Sequence, residues 1–380
     1  MKLRQPILLL AASLVLGGCS TISSWFSKAY VEPMAELTKF TPSAQLEQVW
    51  RVSVGSAGKA LIQPASAGDA IYVASGGGDV YRIEGGRTIW RASTKEDVVA
   101  GVGASGALVA VGIKGGQVAT FEADTGKPRW SVDVGGEVSA APLVDGDAIV
   151  VRVGDAKLVS LDAADGRKRW TYTRTTPPLS LRAFSDVRRA DAYLFAGFSG
   201  GRVAAITANT GQLAWEGAVT QPRGTTELER LSNVVGAPVL APGMLCGGAY
   251  QGRVTCFDLN KGLSVWGRDI STAVGIALDG TRVFVTDERS LVHALDRNTG
   301  ATLWKLDELK LRKVGRPLDF DPYIAVGDLE GYIHLLNKAD GQFAGRARAD
   351  NSPIDAPLLA HDNGIVALSR DGVLSYMKVR

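Results

Sequence analysis

Three cysteines and three histidines are the residues of this chain best suited to metal or covalent chemistry. Cys246 and Cys256 are ten positions apart, on either side of a Tyr250-Gln251-Gly252 turn. In a hairpin with a three-residue loop they stand directly opposite each other. A disulfide and two free thiols remain equal alternatives, because directly paired positions are tight for a bridge and a one-residue register change separates the two sulfurs. His293 and His334 hold equivalent places in successive repeats, but no Cys, His or Asp cluster supplies a third ligand, so both read as ordinary strand residues. Neither Gly-x-x-x-x-Gly-Lys-Ser/Thr nor His-Glu-x-x-His occurs in the sequence. No catalytic, cofactor or metal residue is therefore assigned. A net charge of +3 with no basic run carrying interleaved aromatics argues against a nucleic-acid partner.

The third cysteine, Cys19, has a different context. Lys2 and Arg4 precede an apolar stretch at residues 7–16, and small residues follow it. The stretch is too short for a membrane span and has the layout of a secretory signal. Leu16-Gly17-Gly18-Cys19 resembles the lipobox of bacterial lipoproteins. That resemblance implies cleavage before Cys19 and lipidation of its thiol, and Ser20 in the next position implies sorting to the outer membrane. Several acyl chains would make a stable anchor, each buried methylene contributing about 0.8 kcal/mol. Residues 1–18 are thus expected to be a signal peptide and residues 19–42 a lipidated tether, with Trp25-Phe26 its only aromatic pair.

What holds the rest together is a repeat. In Leu161-Asp162-Ala163-Ala164-Asp165-Gly166-Arg167-Lys168-Arg169-Trp170, an apolar residue, a glycine and a tryptophan keep fixed spacing. The spacing returns at Phe121-Gly126-Trp130, Ile206-Gly211-Trp215, Phe257-Gly262-Trp266 and Leu295-Gly300-Trp304. Ile83-Gly86-Trp90 is a copy shortened by two residues, and Leu336-Gly341-Gly345 is a copy whose tryptophan is glycine. A period near forty overrides any domain count based on the 380-residue length. Each unit reads as four antiparallel strands with Gly-rich turns, which is one propeller blade. The tryptophans could floor a cofactor site or pack between blades. One per blade at constant phase favours packing.

Seven fourth strands can be counted, and the chain then stops at Arg380 after an eighth third strand. The missing piece lies at the other end, where Gln48-Val49-Trp50-Arg51-Val52-Ser53-Val54-Gly55 has the pattern of a fourth strand. The expectation is an all-β fold over residues 43–380: an eight-bladed β-propeller of four-stranded antiparallel blades, closed by an N-terminal strand that completes the last blade. Closure removes an exposed sheet edge.

Spacing from the second strand to the tryptophan is nearly constant, whereas two successive inter-blade connections are long, at residues 171–193 and 216–244. Loops on a rigid scaffold commonly carry function. The first contains Leu179, Leu181 and Arg182. The second contains Glu227, Glu229, Arg230 and Asn233. From composition, packing the loops down and binding a partner are evenly balanced roles for the leucines.

The tryptophan repeat, as in Ala123-Asp124-Thr125-Gly126-Lys127-Pro128-Arg129-Trp130, resembles that of the pyrroloquinoline-quinone-type propellers. With the lipobox, Pro178-Leu179-Ser180-Leu181-Arg182 and Thr226-Glu227-Leu228-Glu229-Arg230-Leu231-Ser232, the chain resembles the BamB lipoproteins of the bacterial β-barrel assembly machinery. The resemblance implies a non-enzymatic scaffold without cofactors, lipid-anchored in the outer membrane and facing the periplasm. It implies binding to the POTRA domains of BamA, and through BamA to the rest of the complex, with nascent outer-membrane proteins as further clients. The Ser-Leu-Arg contact of that family carries over to Leu179, Leu181 and Arg182. The family also places acidic residues just after the second motif, where this chain has Asn233 and Val235. Two rival readings are a scaffold of another envelope complex and a periplasmic quinoprotein dehydrogenase. The enzyme would need an axial quinone pocket, an Asp base and calcium ligands, and characteristically adjacent cysteines, which do not occur here.

Overall fold

The structure, a computed structural model, describes residues 32–175, 179, 182 and 185–380. Cys19 and Leu181, and with them the signal and lipidation expectations, lie outside the described residues. All regular elements described are strands, in eight four-stranded antiparallel sheets. Blade 1 is Ala65–Ala67, Ala70–Ala74, Asp79–Glu84 and Arg87–Ser93. Blades 2 to 7 follow in chain order, ending with Phe343–Arg348. Blade 8 takes three strands from the C-terminal end, Leu359–His361, Gly364–Leu368 and Val373–Val379. Its fourth is Leu46–Ser53, paired antiparallel with Val373–Val379. The expected closure is the observed one.

The spacing of glycine and tryptophan has a physical cause that acts between blades. Trp170, at the outer strand of blade 3, donates its indole N–H to Ala208 O in blade 4 at 2.8 Å. Its ring covers Gly211 of that next blade, where φ is +71° and a Cβ would meet the ring at 2.5 Å. The turn thus requires glycine twice, for its backbone and for the ring above it. The same indole bond recurs from Trp90 to Ala123 O, Trp130 to Ala163 O, Trp215 to Gly262 O, Trp266 to Arg297 O and Trp304 to Lys338 O. The tryptophans are therefore inter-blade pins. Gly345 stands where blade 7 should have one, and there a Cβ would lie 2.7 Å from Ala44 O. The incoming N-terminal segment occupies that place, with Ser43 and Ala44 N–H both donating to Ala344 O at 2.9 Å.

Every outer strand carries a register shift at the residue just before the tryptophan position, Val49 and Arg169 among them. Such bulges bend the edge strand and blunt it against pairing with foreign strands. Between Cys246 and Cys256, which face each other in the ladder of blade 5, there is a disulfide.

The stretch ahead of the closing strand also lies on the propeller surface. Ala35 N–H donates to Lys310 O at 3.0 Å, and Phe40 stacks on Phe343 with centroids 5.3 Å apart. Arg312 donates to Ala35 O and Arg346 to Thr38 O, each at 2.9 Å.

Candidate partner-binding surface

The long connections rise on the face that carries the turns between second and third strands. The one after blade 4 is tied to that blade's own turn. Val219 N–H donates to Gly201 O at 2.9 Å and Gly201 N–H to Ser232 O at 2.7 Å. Asn233 bridges Ser199, and its carbonyl accepts from Tyr250 N–H at 2.9 Å. It is buried, 5% exposed, so its side chain is not part of the open surface.

Between these anchors the chain forms one helical turn. Thr226 Oγ1 accepts from Glu229 N–H at 3.2 Å, while Glu229 Oε2 accepts from Thr226 N–H at 3.1 Å and Thr225 N–H at 2.7 Å. This is a capping box, a Thr-x-x-Glu signal present in the sequence and overlooked in reading it. The N–H groups of Thr226 and Thr225 hold the Glu229 carboxyl below its ordinary range. Arg230 Nε closes back on Gly224 O at 3.1 Å. With its side-chain nitrogen turned inward, Gln251 donates to the carbonyls of Leu228 and Leu231, both at 3.0 Å. Glu229 and Arg230 are thus occupied within the loop. Glu227 is exposed, and Leu228 is 70% exposed, the most open large apolar side chain described. Leu228 sits in the second motif but was not among the expected contact residues. What it lacked was a sign of direction, since only the capping box fixes which side of the turn faces out.

The connection after blade 3 leaves through Arg174, whose N–H donates to Ala156 O at 2.9 Å and whose guanidinium pairs with Glu216. Leu179 is exposed. Arg182 reaches Glu137, in the connection between blades 2 and 3, at 3.2 Å. Both members of that pair are at least half exposed, so it contributes about 0–1 kcal/mol and leaves the guanidinium open to exchange partners. Arg182 also borders a cleft with Gly58, Lys59 and Asp97, from the connections around blade 1. Arg182 thus faces the connections around blades 1 to 3, while the second loop lies between blades 4 and 5. The described residues of this surface offer apolar side chains at Leu179 and Leu228 and cations that include Arg182, which suits a protein surface with an apolar depression and a carboxylate. Among the described residues no group of three or more Cys, His, Asp or Glu could hold a metal.

A family profile described as outer membrane protein assembly factor BamB matches residues 37–100, 83–306 and 288–379. The protein of that name from Pseudomonas aeruginosa is 41% identical over 378 residues, 98% of each chain. That from Burkholderia pseudomallei is 38% identical over 370 residues, 97% of this chain and 96% of its own. The crystal structure of BamB from Moraxella catarrhalis superposes with a TM-score of 0.83 at 27% identity, covering 88% of this chain and 99% of that one. A chain matched from end to end in sequence and blade by blade in structure belongs to the BamB family of outer membrane protein assembly factors.

Proposed function

We propose that this protein is a lipid-anchored, non-enzymatic scaffold that faces the periplasm and docks on the POTRA domains of BamA through Leu179, Leu181 and Arg182. The observation that carries this reading is the rim itself: an exposed leucine and a loosely paired arginine on a long loop of a rigid ring. Apolar and arginine contacts at the centre of an interface dominate its energy, with truncation costs of about 2 kcal/mol or more. The fork of Arg182 can exchange Glu137 for a bidentate partner carboxylate. Leu228 and Glu227 form a second, preformed contact, ordered before binding and so at little entropic cost. The dehydrogenase reading has no comparable support, because relatives along the whole length are named as assembly factors.

Replacing Leu179, Leu181 and Arg182 together by Ala abolishes capture on the periplasmic region of BamA while the melting temperature stays unchanged. Undiminished capture removes the site. Lost capture with a collapsed melt makes the leucines structural. Cys19→Ala releases a folded propeller into the soluble fraction. A variant that still fractionates with outer membranes lacking BamA rules out the anchor at that cysteine.

A further inference from the structure

The inner strands line an axial channel whose wall is mostly small and apolar, with Ala141, Pro238, Ala277 and Pro357 among its residues. Gln63, Asp186, Arg188 and Arg316 are among the polar residues that interrupt it. Gln63, just before the inner strand of blade 1, donates its amide to Asp186 Oδ1 at 2.9 Å, just before that of blade 4. The bond joins blades three apart in the ring and narrows the channel. Arg188 opens the inner strand of blade 4, and Arg316 precedes that of blade 7. Both arginines border two cavities of about 270 and 470 Å³, the smaller of which is also lined by Gln63 and Asp186.

Their donors are largely unspent. Arg316 Nε donates to Ile276 O at 3.0 Å, and its two terminal nitrogens have no acceptor among the described residues. Arg188 has no hydrogen bond or ion pair among them. Of the carboxylates lining these cavities, Asp186 already accepts from Gln63 and Asp319 is paired with Lys338. Burial, then the charge of Arg188, push Arg316 down to about 10 against the pull of Asp186. The cluster therefore carries excess positive charge in a cleft with apolar walls, which focuses its field on an anion, Arg188 being exposed and Arg316 half-buried.

We propose that the channel waist binds a small oxyanion, the ligand being a phosphate or a carboxylate held by the forks of Arg188 and Arg316. Two guanidiniums from blades three apart in the ring suit an anion with several oxygens, each fork supplying N–H donors. Asp186 sets the selectivity. Its charge repels a polyanion and leaves room for one acidic group.

The test titrates the purified, folded protein with inorganic phosphate by calorimetry against chloride at matched ionic strength. A short peptide with a free C-terminal carboxylate, and the same peptide amidated, form the second arm. Saturable heat with phosphate or with the free peptide supports the site, and the arm that responds identifies the source. Arg188→Gln and Arg316→Gln each weaken binding about tenfold or more, the loss expected for a charge-assisted pair of hydrogen bonds. Arg167→Gln, an exposed arginine paired with Asp165 and outside both cavities, leaves it unchanged. Arg188 has no protein partner among the described residues, so its variant folds and the comparison stands even if Arg316→Gln does not. Absence of saturable heat in both arms overturns the proposal, as does binding that survives Arg188→Gln or an amidated peptide that binds as well as the free acid.

Discussion

Removing residues 43–54 abolishes the cooperative unfolding transition or lowers it by more than about 10 °C. The deletion strips blade 8 of its outer strand and opens the edge of Val373–Val379, whose Leu374 and Met377 are fully buried in the intact ring. It also removes the last inter-blade pin. Trp50 covers Gly86 of blade 1, where φ is +80° and a Cβ would lie 2.7 Å from the tryptophan. It also stacks on Tyr376 with centroids 5.4 Å apart. One apolar cluster runs through blades 8, 1 and 2 across the join, including Val54, Ile83, Val109 and Leu374. Losing the strand therefore exposes two blade interfaces as well as a hydrogen-bonding edge. Trp50→Ala alone costs about 3 kcal/mol, the low end for a large aromatic, because the side chain is only half-buried. Val49→Ala, at the exposed bulge next to it, stays within about 0.5 kcal/mol. Thermal and urea melts of the three variants check the order. A deletion that melts like the full chain removes the closure argument.

The ring was legible because each blade repeats one local solution and the repeat is written in glycine and tryptophan. Seven copies place the strands, and the mismatch between the two chain ends places the eighth. The tryptophan's role was legible too, since a constant phase has no other economical meaning. Less visible was anything set by one long-range contact. His334 reads as an ordinary strand residue, yet it is fully buried in a charged network, because its neighbours Arg312 and Arg346 come from other strands and connections. Asn233 reads as a rim residue from its place beside the second motif, and the two neighbouring turns draw it inside. The pairing of Cys246 with Cys256 turned on a one-residue register that spacing alone leaves open. Leu228 needed the direction of a single helical turn.

Arg312→Ala lowers stability by about 3–5 kcal/mol and frees the segment ahead of the closing strand, the cost expected when one partner of a buried ion pair is removed. The Arg312 side chain is 1% exposed and meets Asp328 Oδ2 through two nitrogens at 2.8 and 2.7 Å, with Glu330 as a second carboxylate partner. Its remaining terminal nitrogen holds Ala35 O. Without it, Asp328 keeps its charge in the interior with only the N–H groups of Glu330 and Tyr332 and the imidazole of His334 to face it. On the other side of that imidazole, Arg346 Nε donates to His334 Nδ1 at 3.0 Å, which assigns the ring proton to Nε2, toward Asp328. Arg346 in turn holds Thr38 O and lies 5.0 Å from the ring centroids of both Phe40 and Phe343. The aromatic rings of Tyr332 and Phe343 complete the surroundings of His334.

This arrangement makes the clamp sensitive to acid. Burial, outweighing the attraction of Asp328, holds His334 below its ordinary value of 6.5. The folded protein therefore resists the proton that the unfolded chain accepts, so the stability due to a neutral His334 is complete above about 6.5 and is lost as pH falls through and below it. Asp328 is held below its ordinary carboxyl value by its hydrogen bonds to His334, the Tyr332 N–H and Arg312, so its contribution persists until the medium is more acidic still. A protonated Nδ1 can no longer accept from Arg346, and the bond to Thr38 and the stack on Phe40 lose their support. As pH falls from about 6.5 to 5, wild-type stability falls, and proteolysis within residues 35–42 accelerates ahead of global unfolding. His334→Gln flattens that dependence, because a glutamine cannot titrate. Arg346→Ala exposes residues 35–42 at every pH with a smaller loss of global stability than Arg312→Ala. Equal cleavage rates for wild type and Arg346→Ala at neutral pH, or an unaltered acid slope in His334→Gln, show that the network does not hold the segment.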